Sequence, residues 1–276
     1  MQLISPSVEY IPQEAGYDGM IKHIEKCGRV CYKSEDKITD SSAQGFVARM
    51  INAGHTAMLE HGTIYLALPV ETILPLEAND WGRYYHNPYS DAGTVCEVKG
   101  QKMVAATTNF RVIVENDWYD DLKYAFNPTK YHKRRYTMKF TCARIDSQSI
   151  TRYRHNSFAQ ESQRFINYLQ EMRGATVTFC EPIWVKPEDL EELKQDATIS
   201  EQLYFKWLNK GYKPEEARYF LINGTKTEII VTAFEDDWRY FLDQRLRNTT
   251  GKPSSDMHHL AQLLWNEFKE KLDLEL

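Results

Sequence analysis

The chain has 276 residues, enough for one large domain or two small ones with a substantial core. Its formal net charge of -5 argues against a general nucleic-acid binder, whose footprint is a strongly basic domain. Five cysteines without compact metal-ligand spacing read as free thiols of a reducing compartment; with no apolar run near the ~20 residues of a membrane span and no signal-peptide pattern, the expected location is the cytoplasm.

In chain order, Phe46, Val47, Met50 and Ile51 recur at helical spacing after the candidate caps Ser41 and Ser42, and Gly54 stands where the helix would end. A strand is expected over 63–69, stopped by Pro69. Residues 79–100, with Gly82, Pro88 and Gly93, look like a long irregular loop. Runs of β-branched and aromatic residues predict strands over 104–114 and 136–142, with a helix over 117–126 between them. The clearest strand covers 225–234; helical spacing returns over 236–246, and Met257, Leu260, Leu264 and Phe268 mark an amphipathic terminal helix. Segregated helices and non-repeating strands predict an α+β fold, a mixed or antiparallel sheet with helices packed around it. The chain has no Gly-x-Gly-x-x-Gly, so a Rossmann fold is unsupported.

Positive charge is concentrated in one place. Residues 152–165 carry Arg152, Arg154 and Arg164 with His155, Ser157, Gln160, Ser162 and Gln163. Guanidinium groups stay charged and present forked donors suited to phosphate or to a uracil-like edge, and Ser and Gln can satisfy the remaining polar atoms. A solvated charged surface is the alternative on composition alone. His55 and His61, with Glu60 between, are candidate metal ligands, but a third ligand is lacking and no metal is expected. His132-Lys133-Arg134-Arg135 is too short in an acidic chain to mark a nucleic-acid site.

The order of residues from Arg152 to Phe165 resembles the Arg-His-Arg…Ser…Ser-x-Arg-Tyr signature of the flavin-dependent thymidylate synthases, the ThyX family. Gly54-His55-Thr56-Ala57-Met58-Leu59-Glu60-His61 is similar to the family's flavin-contacting segment. Ala217-Arg218, Lys226-Thr227-Glu228 and Trp238…Phe241…Arg245 resemble three further elements in the same order. Residues 107–112 and 132–135 look like an insertion of one subgroup, about 75–135, within a single domain spanning 1–276. The departures are Tyr153 for the usual middle histidine, Ala57, Ser149, Ala159, Phe234 and Tyr240.

The resemblance implies a homotetramer with active sites at subunit interfaces, in which NADPH reduces FAD and methylenetetrahydrofolate gives its one-carbon unit to dUMP. It implies that His55, Glu60, Arg152, Tyr153, Arg154, His155 and Tyr240 hold FAD. Gln160, Ser162, Gln163, Arg164, Arg218 and Arg245 would bind dUMP, with Ser162 and Arg245 catalytic and no cysteine nucleophile required. A positive donor at Arg245 would stabilise charge developing on the uracil ring. The departures at Tyr153, Ala57 and Tyr240 keep open a same-fold pyrimidine-nucleotide hydroxymethylase that finishes with water. A nucleic-acid-binding protein is the alternative of another class.

Overall fold

The computed structural model describes residues 1–70, 82–98, 100–169, 174–274 and 276. In chain order its main elements are β1 (Gln2–Ile4), β2 (Ser7–Tyr10), α1 (Gly16–Val30), α2 (Ser42–Asn52), β3 (Thr63–Pro69), β4 (Asp91–Val98), β5 (Gln101–Asn109), α3 (Phe110–Asn116), β6 (Arg135–Ala143), α4 (Arg144–Ile150), β7 (Ser157–Gln160), β8 (Thr178–Cys180), α5 (Leu190–Asn209), β9 (Lys226–Phe234), α6 (Glu235–Arg245) and α7 (Ser255–Leu272). The expected α+β architecture is what these form. The central sheet is antiparallel in the order β2-β6-β9-β7, a second antiparallel sheet runs β3-β5-β4, and β1 pairs in parallel with β8. Among the described residues no helix is long and apolar enough to cross a membrane.

The central sheet has two unlike faces because side chains alternate along a strand. Directly paired Tyr136 and Ala233, Met138 and Val231, and Phe140 and Ile229 turn to one side. There they meet Trp238, Phe241 and Leu242 of α6 and Met257, Leu260, Leu264 and Phe268 of α7, all of them buried. The other face is polar at one end. Thr137 and Thr232, paired opposite each other, share a 2.7 Å hydrogen bond and also contact His23 Nε2 and His61 Nδ1 at 3.0 and 2.8 Å. Burial, before any neighbouring charge, lowers His23 to about 4 and His61 to about 3, so both rings are neutral near pH 7.

Three expectations change against this frame. The strand expected over 104–114 stops at Asn109, whose side chain accepts from Val112 N at 3.1 Å and starts α3. Asp117, at φ 58, ends that helix, and the helix expected over 117–126 is a tighter 3-10 stretch, Tyr119–Tyr124. The loop expected over 79–100 contains β4, and Gly93 sits at φ +127 in a bulge where the register shifts between Ala92 and Thr94; residues 79–81 and 99 lie outside the described residues. The α2 boundaries follow the sequence closely: Gly54 takes φ +67, Gly54 N donates to Ile51 O and His55 N to Met50 O, so a glycine-closed helix end places His55. Neither Ser41 nor Ser42 caps the helix through its side chain; Ser42 Oγ donates instead to Glu25 at 2.7 Å.

Asp146, on α4, is 7 % exposed, and its carboxyl is pushed up to about 7 by burial and then by Asp256. A carboxyl whose folded pKa is raised favours the native state below its unfolded value of 3.8, and loses that advantage as pH rises from there through about 7. Asp146→Asn, which removes the titration, should therefore raise Tm at pH 8, with the gain shrinking as pH falls from 7 towards 4. Thermal unfolding of both proteins across that range checks this; a gain independent of pH would contradict it.

Candidate functional site

The turn after α4 carries Arg152, Tyr153, Arg154, His155 and Asn156 and is fastened to α6 by one side chain. Tyr153 is 8 % exposed, its ring 4.9 Å from that of Phe241. Its hydroxyl donates to Gln244 Oε1 at 2.8 Å and accepts from Arg245 Nε at 3.0 Å. Gln244 Nε2 in turn donates to Tyr240 Oη at 2.6 Å. A cleft of about 340 Å³ opens between the turn and the helix, and Arg152, Arg154, His155 and Arg245 line it with Asp237 as the one carboxylate among the described residues. Asn156 Oδ1 is buried there and has no hydrogen-bond partner among the described residues. Predicted residues 92 positions apart, Tyr153 and Arg245, thus share one site.

A second group lies at the far end of β7. Gln160 Nε2 donates to Ser147 Oγ at 2.8 Å and to Thr227 Oγ1 at 3.3 Å. Ser162 N donates to Cys31 O at 3.0 Å. Arg164 reaches Glu215 Oε2 at 3.5 Å, and Arg218 Nε donates to Glu215 O at 3.2 Å, so these two arginines meet around one glutamate. Gln163 is buried and Arg164 exposed. Beneath them, Lys226 bridges Glu161 and Glu228 at 2.8 Å each. Burial alone would raise the Glu228 carboxyl, but Lys226 and Lys33 outweigh it and hold it down at about 2.

His55 falls in a third place, a cleft of about 910 Å³ between α1 and α2 that also presents Arg29, Lys33, Lys37, Arg49 and Arg111. Glu60 is an ion-pair partner of Arg111 at 2.5 Å, and Arg111 also binds Glu115, which accepts from Thr56 Oγ1. This cleft adjoins the second group, since Cys31 and Tyr32 line it and the Tyr32 ring lies 5.3 Å from that of Phe165. His61 is fully buried in the polar network and lines neither of these clefts. Burial pushes the Cys31 thiol up to about 11 and Cys180 to about 12, and raises Cys27, Cys96 and Cys142 too, so none is a ready thiolate.

Residues 127–272, more than half of the chain, match the model of the family described as thymidylate synthase complementing protein. The chain belongs to this family. Among similar proteins are the flavin-dependent thymidylate synthases of Pyrococcus furiosus, 32% identical over 105 residues, and of Thermococcus kodakarensis, 35% identical over 106 residues. Each alignment covers 38% of this chain and 43% or 42% of the relative, so the match spans less than half the length of those relatives. A solved UMP/dUMP methylase PolB from Streptomyces cacaoi, bound with 5-Br dUMP, superposes with a TM-score of 0.46 at 14% identity, over 98% of this chain and 93% of that one. The family region contains the Arg152–Phe165 segment, Arg218 and Arg245, whereas His55 and Glu60 lie before it.

The structure therefore gathers Arg152, Tyr153, Arg154, His155, Tyr240 and Arg245 in one cleft, Gln160, Ser162, Gln163, Arg164 and Arg218 in another region, and His55 with Glu60 in or beside a third. Sequence reasoning passed over Asn156, Asp237 and Gln244 of the first cleft and Arg29, Lys33, Arg49 and Arg111 of the third. Arg29 and Lys33 carried a usable signal, two cations four residues apart at a helix end; Asn156 and Gln244 carried none.

Because the Tyr153 hydroxyl fixes Arg245, Tyr153→Phe should weaken binding of a phosphate-bearing ligand about tenfold while the fold stays intact, as expected for the loss of one hydrogen bond to a charged group. Arg245→Ala should weaken it ten- to a hundredfold. Calorimetry with dUMP and with FAD checks both; unchanged affinity for both ligands in Arg245→Ala would remove that arginine from the site.

Proposed function

We propose that this protein is a flavin-dependent thymidylate synthase, a single functional domain that converts dUMP to dTMP with methylenetetrahydrofolate as one-carbon donor and NADPH as the source of reducing equivalents. The observation that carries this reading is the convergence of Arg152, Arg154, His155 and Arg245 on one cleft with a single carboxylate. That donor set fits a phosphate-bearing cofactor or nucleotide, and the orphaned Asn156 Oδ1 offers an acceptor to an N–H of the ligand. Bound flavin would supply the hydride that completes the methyl group.

The chain's own contribution is binding, orientation and polarisation. Arg152, Arg154 and His155 would take phosphate groups of FAD, with His55 and the basic cleft around it receiving more of the cofactor. Arg245, aimed by Tyr153, would face the anionic or carbonyl edge of its ligand. Ser162 and Arg164, beside Gln160 and Arg218, would hold dUMP. Glu60 would act through Arg111, the cation it pairs with, and Tyr240 through Gln244. With all five thiols raised, uracil would be activated without a cysteine adduct.

The separation of the Arg245 cleft from Ser162 and Arg164 within one chain supports a homotetramer whose active sites combine residues of different subunits. The reading as a nucleic-acid binder loses its basic tract: His132 and Arg135 are buried, and Lys133 is paired with Asp91 and Asp236 at 3.2 Å each. The hydroxymethylase alternative keeps one observation in its favour, since Gln244 and Arg245 already occupy the Tyr153 hydroxyl.

Given FAD, NADPH, methylenetetrahydrofolate and dUMP, the protein should oxidise NADPH and form dTMP, because the transferred methylene reaches methyl only with a hydride donor. Mass spectrometry of the nucleotide product checks this, and a hydroxymethyl product formed without NADPH would establish the alternative. Arg164→Ala and Arg245→Ala should each be nearly inactive, and mixing the two after dissociation should restore part of the turnover, since some sites then hold both arginines. No recovery in a mixed assembly verified by native mass spectrometry would place both residues in the same chain's site.

A further inference from the structure

A pocket of about 480 Å³ lies between the start of α1, β3 and the beginning of β6, and its lining shares no residue with the two clefts above. Aromatic side chains, Tyr10, Tyr17, Tyr65, Phe126 and Tyr136, form much of its wall. Two arginines line it. Arg134 stands over the Tyr65 ring at 5.8 Å and makes no ion pair among the described residues. Arg135 is 8 % exposed, and among the described residues its guanidinium meets only neutral acceptors: Glu60 O at 3.1 Å, Thr63 Oγ1 at 3.2 Å and Ser157 Oγ at 3.1 Å. Its Nε is buried and has no hydrogen-bond partner among the described residues.

A buried guanidinium with no carboxylate against it is costly, and removing charge from water is tolerated when an opposite charge or a full set of acceptors replaces the solvent. The same pocket contains the start of α1, whose N-cap is Ala15 and which has no side-chain cap. The first N–H groups of that 15-residue helix add positive potential on the side where Gly16 takes φ +82 and leaves open space. Gln13, also on the wall, is already engaged with the backbone of Thr63 in both directions.

We propose that this pocket is a binding site for a flat aromatic carboxylate, with the ring system against Tyr10, Tyr65 and Phe126 and the carboxylate answered by Arg134 and Arg135. A forked guanidinium matches a carboxylate in shape and charge, and aromatic rings pack edge-on or offset against other rings. The charge count selects the anion. Among the described residues the pocket wall carries two guanidinium groups, Arg134 and Arg135, and one carboxylate, Glu14, a local excess of one positive charge that suits a monoanion. The size suits a ring system of one or two rings. This site is independent of the nucleotide-binding reading, and neither requires the other.

The test uses 2-naphthoate, 2-naphthamide and inorganic phosphate as probes of the whole chain in calorimetry. Naphthoate should bind once per chain, at least tenfold more tightly than naphthamide, and phosphate should not compete for it. Arg134→Gln should weaken naphthoate about tenfold and abolish its advantage over the amide, and Phe126→Ala should weaken both aromatic probes alike. Circular dichroism and Tm establish that both variants fold, and calorimetry with dUMP establishes whether their nucleotide affinity stays unchanged. Equal affinity for acid and amide, undiminished naphthoate binding in Arg134→Gln, or no naphthoate binding to the unsubstituted chain would each overturn the proposal.

Discussion

Nine consecutive residue pairs join Arg135–Ala143 to Lys226–Phe234, and the candidate sites are arranged around that ladder. At their nearest paired ends, Ala143 and Lys226, the two strands are 83 positions apart in the chain. Because side chains alternate across the sheet, fixing this register commits Met138, Phe140, Ile229 and Val231 to the α6–α7 core and Thr137 and Thr232 to the opposite face. The same strands deliver the functional segments at their ends. The chain leaving β6 forms α4 and the Arg152–Asn156 turn, and the chain leaving β9 forms α6 with Gln244 and Arg245. Tyr153 then ties the two together, and His258 of α7 holds Arg245 O at 3.1 Å from the far side.

The polar face of the sheet is an arrangement of buried neutral and charged groups. His23 and His61, both lowered by burial, close a chain of hydroxyls through Thr137 and Thr232. Arg135 lies close enough for its charge to depress both imidazoles further. Burial lowers the guanidinium itself to about 10, still well above neutral, so it remains cationic. A cation next to two neutral imidazoles makes this region sensitive to polar substitution, since a half-satisfied buried network is costly.

Charge is distributed unevenly in a chain whose total is negative. Carboxylates neutralise Lys33, Lys133, Arg111 and Lys226, whereas Arg152, Arg154 and Arg245 share a cleft with Asp237 alone. Burial raises the Asp237 carboxyl and Asp236 adds to the rise, while His155, Arg135 and Lys133 beside it act the other way. The result is a local positive potential at the family segment, of the kind that recruits phosphate, within a protein that carries net negative charge.

The sequence by itself determined the elements with a strong period and a sharp stop. The 63–69 strand ending in Pro69, the helix closed by Gly54 and the terminal helix of Met257, Leu260, Leu264 and Phe268 are all present because spacing and punctuation act within a few residues. It failed where one side chain or one bulge switched the local state: Asn109 starts a helix inside a β-branched run, and Gly93 bends a strand that reads as loop. The Arg152–Phe165 segment was legible as a candidate anion site because its three arginines fall within fourteen residues. Only the tertiary structure joined Tyr153 to Arg245, paired Glu60 with Arg111, buried Arg135 without a carboxylate and raised Asp146. Those outcomes depend on which distant surfaces pack together and how much water is excluded between them, and neither quantity is written in the local order of residues.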